Sequence, residues 1–157
     1  MKILKRIILI LVIVLIASPI ISYIGIVITN NTIADKIEKD LVACELPTNT
    51  ELVDSISIAG KLTGNGNGMQ YMGAILVDSD LNKEGLKEYY SCQFDRIEVR
   101  KQETANIDFI NSSNCGFNGF SETNKDSCYS VICWDDNRRE EYGDLISELL
   151  DFDIRGH

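Results

Sequence analysis

ELVDSISIAGKLTGNGNGMQYMGAILV, residues 51–77, decides the fold, because two strand patterns flank one glycine-rich turn. Before the turn, Ile56 and Ile58 alternate with Ser55 and Ser57, which is the period of a half-buried strand. After the turn, apolar residues occupy both alternating sets and predict a strand that is buried on both faces. The Asn-Gly steps of the turn favour the positive φ angles of a tight connection, so the whole stretch predicts a β-hairpin.

The glycines of this turn are also typical of phosphate-binding loops. A dinucleotide-binding fingerprint requires a third glycine where this chain has Met69, and no Lys-Ser or Lys-Thr pair follows, as a P-loop requires. No helix is predicted to begin there, so the helix dipole that binds phosphate is absent. The hairpin is therefore favoured over a nucleotide site, and a longer, mobile flap that grips a ligand is the remaining alternative.

The N-terminus contains an apolar run that is long enough to cross a bilayer. Lys2, Lys5 and Arg6 precede residues 7–28, which contain no charged side chain. As a helix this run spans about 33 Å, close to the hydrocarbon thickness of about 30 Å. The basic residues before the run predict a cytoplasmic N-terminus over residues 1–6, a plasma-membrane span over 7–28 and an extracytoplasmic remainder.

A cleaved signal peptide is the alternative interpretation of the same run. Ala17 and Ser18 are small enough for a cleavage site, but Pro19 follows them and the apolar run continues well beyond. The first cysteine is Cys44, so a lipid-modified cysteine at the end of the run is not expected. An uncleaved, single-pass anchor is favoured.

Charge is distributed unevenly along the chain. All 24 acidic residues follow the apolar run, which leaves that part of the protein with a net charge of about −12. Such a surface repels nucleic acid. The partners predicted are therefore the lipid bilayer, through residues 7–28, and an unidentified protein outside the membrane, with nucleic acid excluded.

Five cysteines form an odd set, and an extracytoplasmic domain permits disulfides. Four can pair while one stays free or joins a partner, and their spacing does not give the connectivity. Cys115 and Cys128 flank a long loop and are candidates to close it. There is no C-x-x-C pair and the single histidine is His157, so no metal site or cofactor is predicted. The candidate disulfide or free-thiol residues are Cys44, Cys92, Cys115, Cys128 and Cys133.

Two further helices are predicted on the hairpin's flanks. Residues 29–47 form an amphipathic juxtamembrane helix, with Ile33, Ile37 and Leu41 on one face. After the hairpin, the segment DSDLNKEGLKEYYSC, residues 78–92, predicts a second helix that begins after an N-cap at Ser79 or Asp80. Its Leu86, Tyr89 and Tyr90 are expected to face the core.

The acidic start of that helix also has calcium-loop spacing. Asp78, Asp80 and Asn82 occupy positions one, three and five of such a loop. Position six should be glycine but is Lys83, and position twelve should be glutamate but is Tyr89. No calcium site is expected.

The second half of the chain repeats the strand–helix order. FDRIEVRKQ, residues 94–102, predicts a strand with Ile97 and Val99 inward, and Ile107 with Phe109 predicts another short one. CYSVICWDD, residues 128–136, predicts a further strand, and residues 138–152 predict the clearest amphipathic helix.

A loop rich in Asn, Ser and Gly lies between these strands. Loops of this length are functional or else tied down. Its Phe117 and Phe120 either tuck into the core or form an exposed contact patch.

The element order predicts an α+β domain over residues 48–157. Two ββα units would build an antiparallel-rich sheet with helices packed on one face, behind the N-terminal transmembrane helix.

Residues 44–90, CELPTNTELVDSISIAGKLTGNGNGMQYMGAILVDSDLNKEGLKEYY, resemble a group of uncharacterised single-pass membrane-anchored proteins of Gram-positive bacteria. The resemblance implies the anchored layout. It assigns no activity, cofactor or site residue.

No nucleophile and base stand in a catalytic pattern, so no catalytic residue is predicted and the protein is not expected to be an enzyme. The function expected is a non-enzymatic binding or assembly module at the cell envelope. The alternative is a thiol-dependent redox activity of an unpaired cysteine, such as Cys133 beside Trp134. Asp135 and Asp136 follow directly, and their charges would raise the pKa of that thiol and lower its reactivity.

Overall fold

A computed structural model describes residues 2–60, 62–63, 69–108, 110, 115–121 and 126–135. The elements in chain order are α1 (Lys2–Ala43), β1 (Thr50–Gly60), β2 (Gln70–Ser79), α2 (Lys83–Ser91), β3 (Ile97–Lys101) and β4 (Cys128–Asp135). This is the predicted α+β arrangement. The predicted C-terminal helix over 138–152, the turn residues 64–68 and Phe109 lie outside the described residues.

The four strands form one antiparallel sheet in the order β1-β2-β4-β3. β1 and β2 pair directly, which confirms the predicted hairpin. A β-bulge interrupts their register between Leu52 and Asp54. β4 pairs with β2 on one side and β3 on the other, so the last strand of the described chain lies inside the sheet.

α1 is one continuous helix of 42 residues that joins the apolar run to the predicted juxtamembrane helix. It is long and apolar enough to span a membrane, with a mean hydropathy of 3.0 in its most apolar window. That window is not buried by the rest of the protein. Asn30, two residues after the exposed Ile28, is fully buried, so packing on the sheet begins where the apolar run ends.

α1 and β2 run side by side in the same direction. The Tyr71 hydroxyl donates to Asn30 Oδ1 at 3.1 Å, near the start of β2 and of the part of α1 that packs on the sheet. Further along both elements, Leu41 packs against Ile75 and Val77. We call the end of the sheet at Gly60, Gln70 and Asp135 the near end, because it lies beside the apolar part of α1. We call the opposite end, at Thr50, Ser79, Lys101 and Cys128, the far end.

Both helices pack on one face of the sheet, as predicted. This helix face buries Leu41 of α1 together with Leu86 and Tyr90 of α2. The opposite face, which we call the loop face, is covered by residues of the segment after β3, among them Ile107, Ile110, Cys115 and Phe117. β2 lies between these two cores, and its residues Tyr71–Val77 are all buried, which confirms the prediction of a strand buried on both sides.

Two local predictions are wrong. α2 is capped by Asn82, whose side chain accepts from Gly85 N at 2.9 Å, and not by Ser79 or Asp80. Ser79 is the buried last residue of β2, and its hydroxyl contacts the Thr50 hydroxyl at 2.7 Å and accepts from Leu81 N. Ile107 belongs to no strand; the backbone beside it forms only an isolated bridge between Asn106 and Gly116.

Tyr90 gives a first testable prediction. Its hydroxyl is buried and has no hydrogen-bond partner among the described residues, and burial raises its pKa to about 12, with smaller contributions from Cys44 and Tyr89. A buried hydroxyl without a partner loses its hydrogen bonds to water. Tyr90→Phe is therefore expected to be neutral or to raise the free energy of unfolding by about 1 kcal/mol, measured by thermal unfolding of the full chain in detergent. A marked loss of stability would show that the hydroxyl has a partner.

Candidate interaction site

A polar seam joins α1 to β1. Ser57 Oγ donates to Asp35 Oδ1 and Ser55 Oγ donates to Glu38 Oε1, each at 2.6 Å. Asp35 and Glu38 are three residues apart and share a helix face, while the two serines are two apart and share a strand face. The alternating polar side of β1, which the sequence reveals, therefore faces α1.

Gly73 of β2 lies directly beneath α1. A Cβ atom at this position would stand 2.8 Å from the Glu38 Cα and 2.8 Å from the Ile37 carbonyl carbon. Both neighbours are backbone atoms, so no side-chain rotation can make room for it. The absence of a side chain at Gly73 allows the helix to approach the sheet closely and fixes the α1 segment against β2.

An open groove of about 280 Å³ lies at the far end, where the chain leaves β3. Gln102 is buried in its wall and donates from Nε2 to the carbonyl oxygens of Thr104 at 2.8 Å and Asn106 at 2.9 Å. These bonds hold the segment after β3 in a tight bend. The groove is lined by Arg100, Lys101, Gln102, Glu103, Thr104, Asn106, Ile107 and Asp108.

The charged side chains of this groove keep much of their exposure. Arg100 pairs with Glu98 on the same strand at 2.6 Å, and both side chains are about 40% exposed. Lys101 lies 3.5 Å from Asp126, whose side chain is fully exposed. Exposed pairs of this kind contribute little to stability. The groove therefore combines positive and negative side chains that keep contact with solvent.

The two candidate contact-loop residues pack on the same core but differ in how deeply they are buried. Phe117 is 2% exposed and belongs to the loop-face core, while Phe120 is half-buried and packs against the same core. Between them, Gly119 N donates to Asp54 Oδ2 at 2.8 Å, which ties the loop to β1. Of the two sequence alternatives, the core position is the one adopted by Phe117.

All five cysteines are free thiols in the structure. Cys92 is exposed at the end of α2, and Cys44, half-buried, donates from Sγ to Gln93 Oε1 at 3.0 Å. Cys115 and Cys128 lie in the loop-face core and Cys133 in the helix-face core. A bond between Cys115 and Cys128 stays a prediction.

The buried thiols are poorly suited to nucleophilic chemistry. Burial raises the pKa of Cys115 to about 11 and that of Cys133 to about 11. The carboxylates of Asp135, Asp40 and Asp95 raise the pKa of Cys133 further, although each contributes less than burial. The effect of Asp135 has the direction that the sequence predicts. Burial, followed by Asp78, also raises the pKa of Cys128. The thiolate is the reactive form, and these sites disfavour it.

Within the described part of the chain, no three His, Cys, Asp or Glu side chains cluster in a way that could hold a metal ion. Comparison with known protein families, with curated proteins and with solved structures finds no match.

The seam and the groove are features that the sequence interpretation missed. The spacing of Asp35 with Glu38 and of Ser55 with Ser57 is visible in the sequence, and would have suggested two matching polar faces. No comparable signal marks the groove, because its shape depends on the backbone contacts of Gln102.

Proposed function

We propose that this protein is a single-pass membrane protein with a cytoplasmic N-terminus, whose extracytoplasmic domain is a non-enzymatic binding or assembly module at the cell envelope. The observation that carries the proposal is the unbroken helix α1, which passes from an exposed apolar segment into a segment packed on the sheet.

The continuity of α1 supports an anchor that positions the domain. Asn30 is buried two residues after the exposed Ile28, so no flexible linker separates the proposed membrane span from the folded domain. The Ser–carboxylate seam and Gly73 fix the α1 segment that follows. A helix rises 1.5 Å per residue, so the far end would stand about 20 Å from the bilayer surface. That distance leaves the far end and its groove accessible to another protein.

The chemistry of the site supports binding more than catalysis. The groove presents Arg100 and Lys101 with partly exposed heads, while the buried Cys115 and Cys133 have raised pKa values. The same anchored layout is what the resemblance of residues 44–90 to the Gram-positive membrane-anchored group implies, and membership of that group is part of the proposal.

A protease-accessibility experiment tests the anchor and its orientation. The full chain, with a C-terminal tag, is expected to stay in the membrane fraction after carbonate extraction. Protease added outside intact cells should remove the tag, since the domain is proposed to lie outside. A tag protected until the membrane is opened would contradict the orientation, and release of the chain by carbonate would contradict the anchor.

Crosslinking in intact cells tests the binding role. The full-length chain is expected in species larger than the monomer after brief formaldehyde treatment, with the crosslinked proteins identified by mass spectrometry. A chain recovered only as the monomer, although it is in the membrane fraction, would contradict a binding or assembly module.

A further inference from the structure

We propose that the near end of the sheet rests in the lipid headgroup layer, where Trp134 forms a second membrane contact besides α1. The folded domain would then touch the bilayer directly instead of standing clear of it. This inference rests on the proposed membrane anchor and adds lipid headgroups to the partners of the extracytoplasmic domain.

α1 carries the boundary of the bilayer directly into the folded domain. Ile28, the last residue of the apolar run, is 60% exposed, whereas Asn30 is fully buried. Two helical residues rise only about 3 Å. The headgroup layer on each side of the hydrocarbon core is about 5–8 Å thick. Packing of α1 on the sheet therefore begins inside the headgroup layer.

The register of the sheet transfers this height to β4. The hydrogen bond between Tyr71 and Asn30 places the start of β2 level with the start of the packed part of α1. Tyr71 pairs with Asp135, and Met72 pairs with Trp134. One strand residue advances about 3.3 Å, so Trp134 lies roughly 6 Å beyond the end of the apolar run.

The twist of the sheet has little effect on this height. β4 is the direct neighbour of β2, so only one interstrand rotation separates them. Trp134 also lies only one residue from the row of Tyr71, which contacts α1. The near end of β4 therefore stays within the headgroup layer.

Trp134 has the exposure and the chemistry of an interfacial residue. Its side chain packs against the loop-face core with part of its surface and is only half-buried. Tryptophan is enriched at the level of the lipid headgroups, because its ring is largely apolar and its indole N–H is polar. The exposed part of the ring would contact headgroups and the first carbons of the acyl chains.

The charges beside Trp134 are mixed. Arg96 is exposed, and its carbonyl oxygen accepts from Trp134 N at 3.2 Å. Asp95 is exposed and Asp135 is half-buried. Because acidic and basic side chains occur together here, the ring of Trp134 and not a basic patch would hold the near end to lipid. The contact is therefore expected with zwitterionic headgroups.

Fluorescence quenching in vesicles tests the inference, because Trp134 is the single tryptophan. The full chain is reconstituted into phosphatidylcholine vesicles that carry no label, a nitroxide on the headgroup, or a nitroxide deep in the acyl chain. We expect the headgroup nitroxide to lower the emission of Trp134 at least about twofold and the deep nitroxide to lower it less, since the ring would lie at headgroup level.

A matched control moves the tryptophan to the far end of the same strand. The double variant Trp134→Phe/Tyr129→Trp replaces one half-buried aromatic residue by another at each position. Residue 129 lies about 17 Å from residue 134 along β4. The emission of this variant should change little with either nitroxide. The comparison of the two depths in the wild-type chain does not depend on the variant.

Three results would overturn the inference while the chain still resists carbonate extraction, which would leave the anchor intact. The first is wild-type emission that the headgroup nitroxide does not lower. The second is stronger quenching by the deep nitroxide than by the headgroup nitroxide. The third is equal quenching of the wild-type chain and the double variant, since both ends of β4 would then be equally close to lipid. A chain that carbonate releases would overturn the anchor, and this inference with it.

Discussion

Gly73→Val is expected to separate α1 from the sheet and to lower the free energy of unfolding by about 3 kcal/mol. The new side chain would begin 2.8 Å from the Glu38 Cα, and the atoms it meets belong to the helix backbone. α1 must move away as a whole, which lengthens the 2.6 Å bonds from Ser55 and Ser57 to its carboxylates. Thermal unfolding of the full chain in detergent, followed by the fluorescence of Trp134, the single tryptophan, should show Tm lower by more than about 10 °C.

Gly25→Ala is the matched control for this variant. A Cβ at Gly25 meets nothing within 4 Å, and alanine is the better helix former. Its Tm should equal the wild-type value or exceed it. Gly73→Ala should fall between the two, because it adds the clashing Cβ without the two methyl groups. A Gly73→Val chain with wild-type Tm would show that α1 does not approach β2 as closely as described.

The hairpin and the burial of β2 were predictable because their signals are local. The alternation of Ile56 with Ser57 and the double apolar pattern after the glycine-rich turn each fix a strand without reference to the rest of the chain. The position of β4 between β2 and β3 was not predictable in this way. It depends on which edge of the sheet the chain joins after the long segment 102–121, and the residues of one strand do not encode that choice.

The cap of α2 and the position of Phe117 could not be predicted for a similar reason. Ser79 and Asp80 are good N-cap residue types, but the Ser79 hydroxyl is hydrogen-bonded to the distant Thr50 hydroxyl instead of capping a helix. The helix begins at Lys83, after its N-cap Asn82. Phe117 is buried only because the loop folds back so that its backbone N–H reaches the Ala105 carbonyl at 2.8 Å. Both outcomes depend on contacts between residues that are distant in sequence.

Cys133 is expected to react with iodoacetamide at least about a hundredfold more slowly than Cys92 at pH 8. Burial, with smaller contributions from Asp135, Asp40 and Asp95, raises the Cys133 pKa from 9.0 to about 11, so at pH 8 this thiol forms about a hundredfold less thiolate than a thiol with the ordinary pKa. Cys133 is also 8% exposed, whereas Cys92 lies on the surface. The full chain is reduced, freed of reductant and alkylated in detergent for increasing times, and each cysteine is quantified by mass spectrometry.

The pH dependence of this reaction separates the effect of the raised pKa from steric shielding of the thiol. Because the pKa is raised, the thiolate of Cys133 accumulates only as pH rises toward 11, so its alkylation rate should keep increasing between pH 9 and pH 11 in the folded chain. Chemical unfolding should remove most of the difference from Cys92, since desolvation and the carboxylates of Asp40 and Asp95 are then lost while Asp135 stays close in sequence. If folded Cys133 instead reacts as fast as Cys92 at pH 8, the thiol is neither shielded nor suppressed, and the redox alternative gains over a purely binding domain.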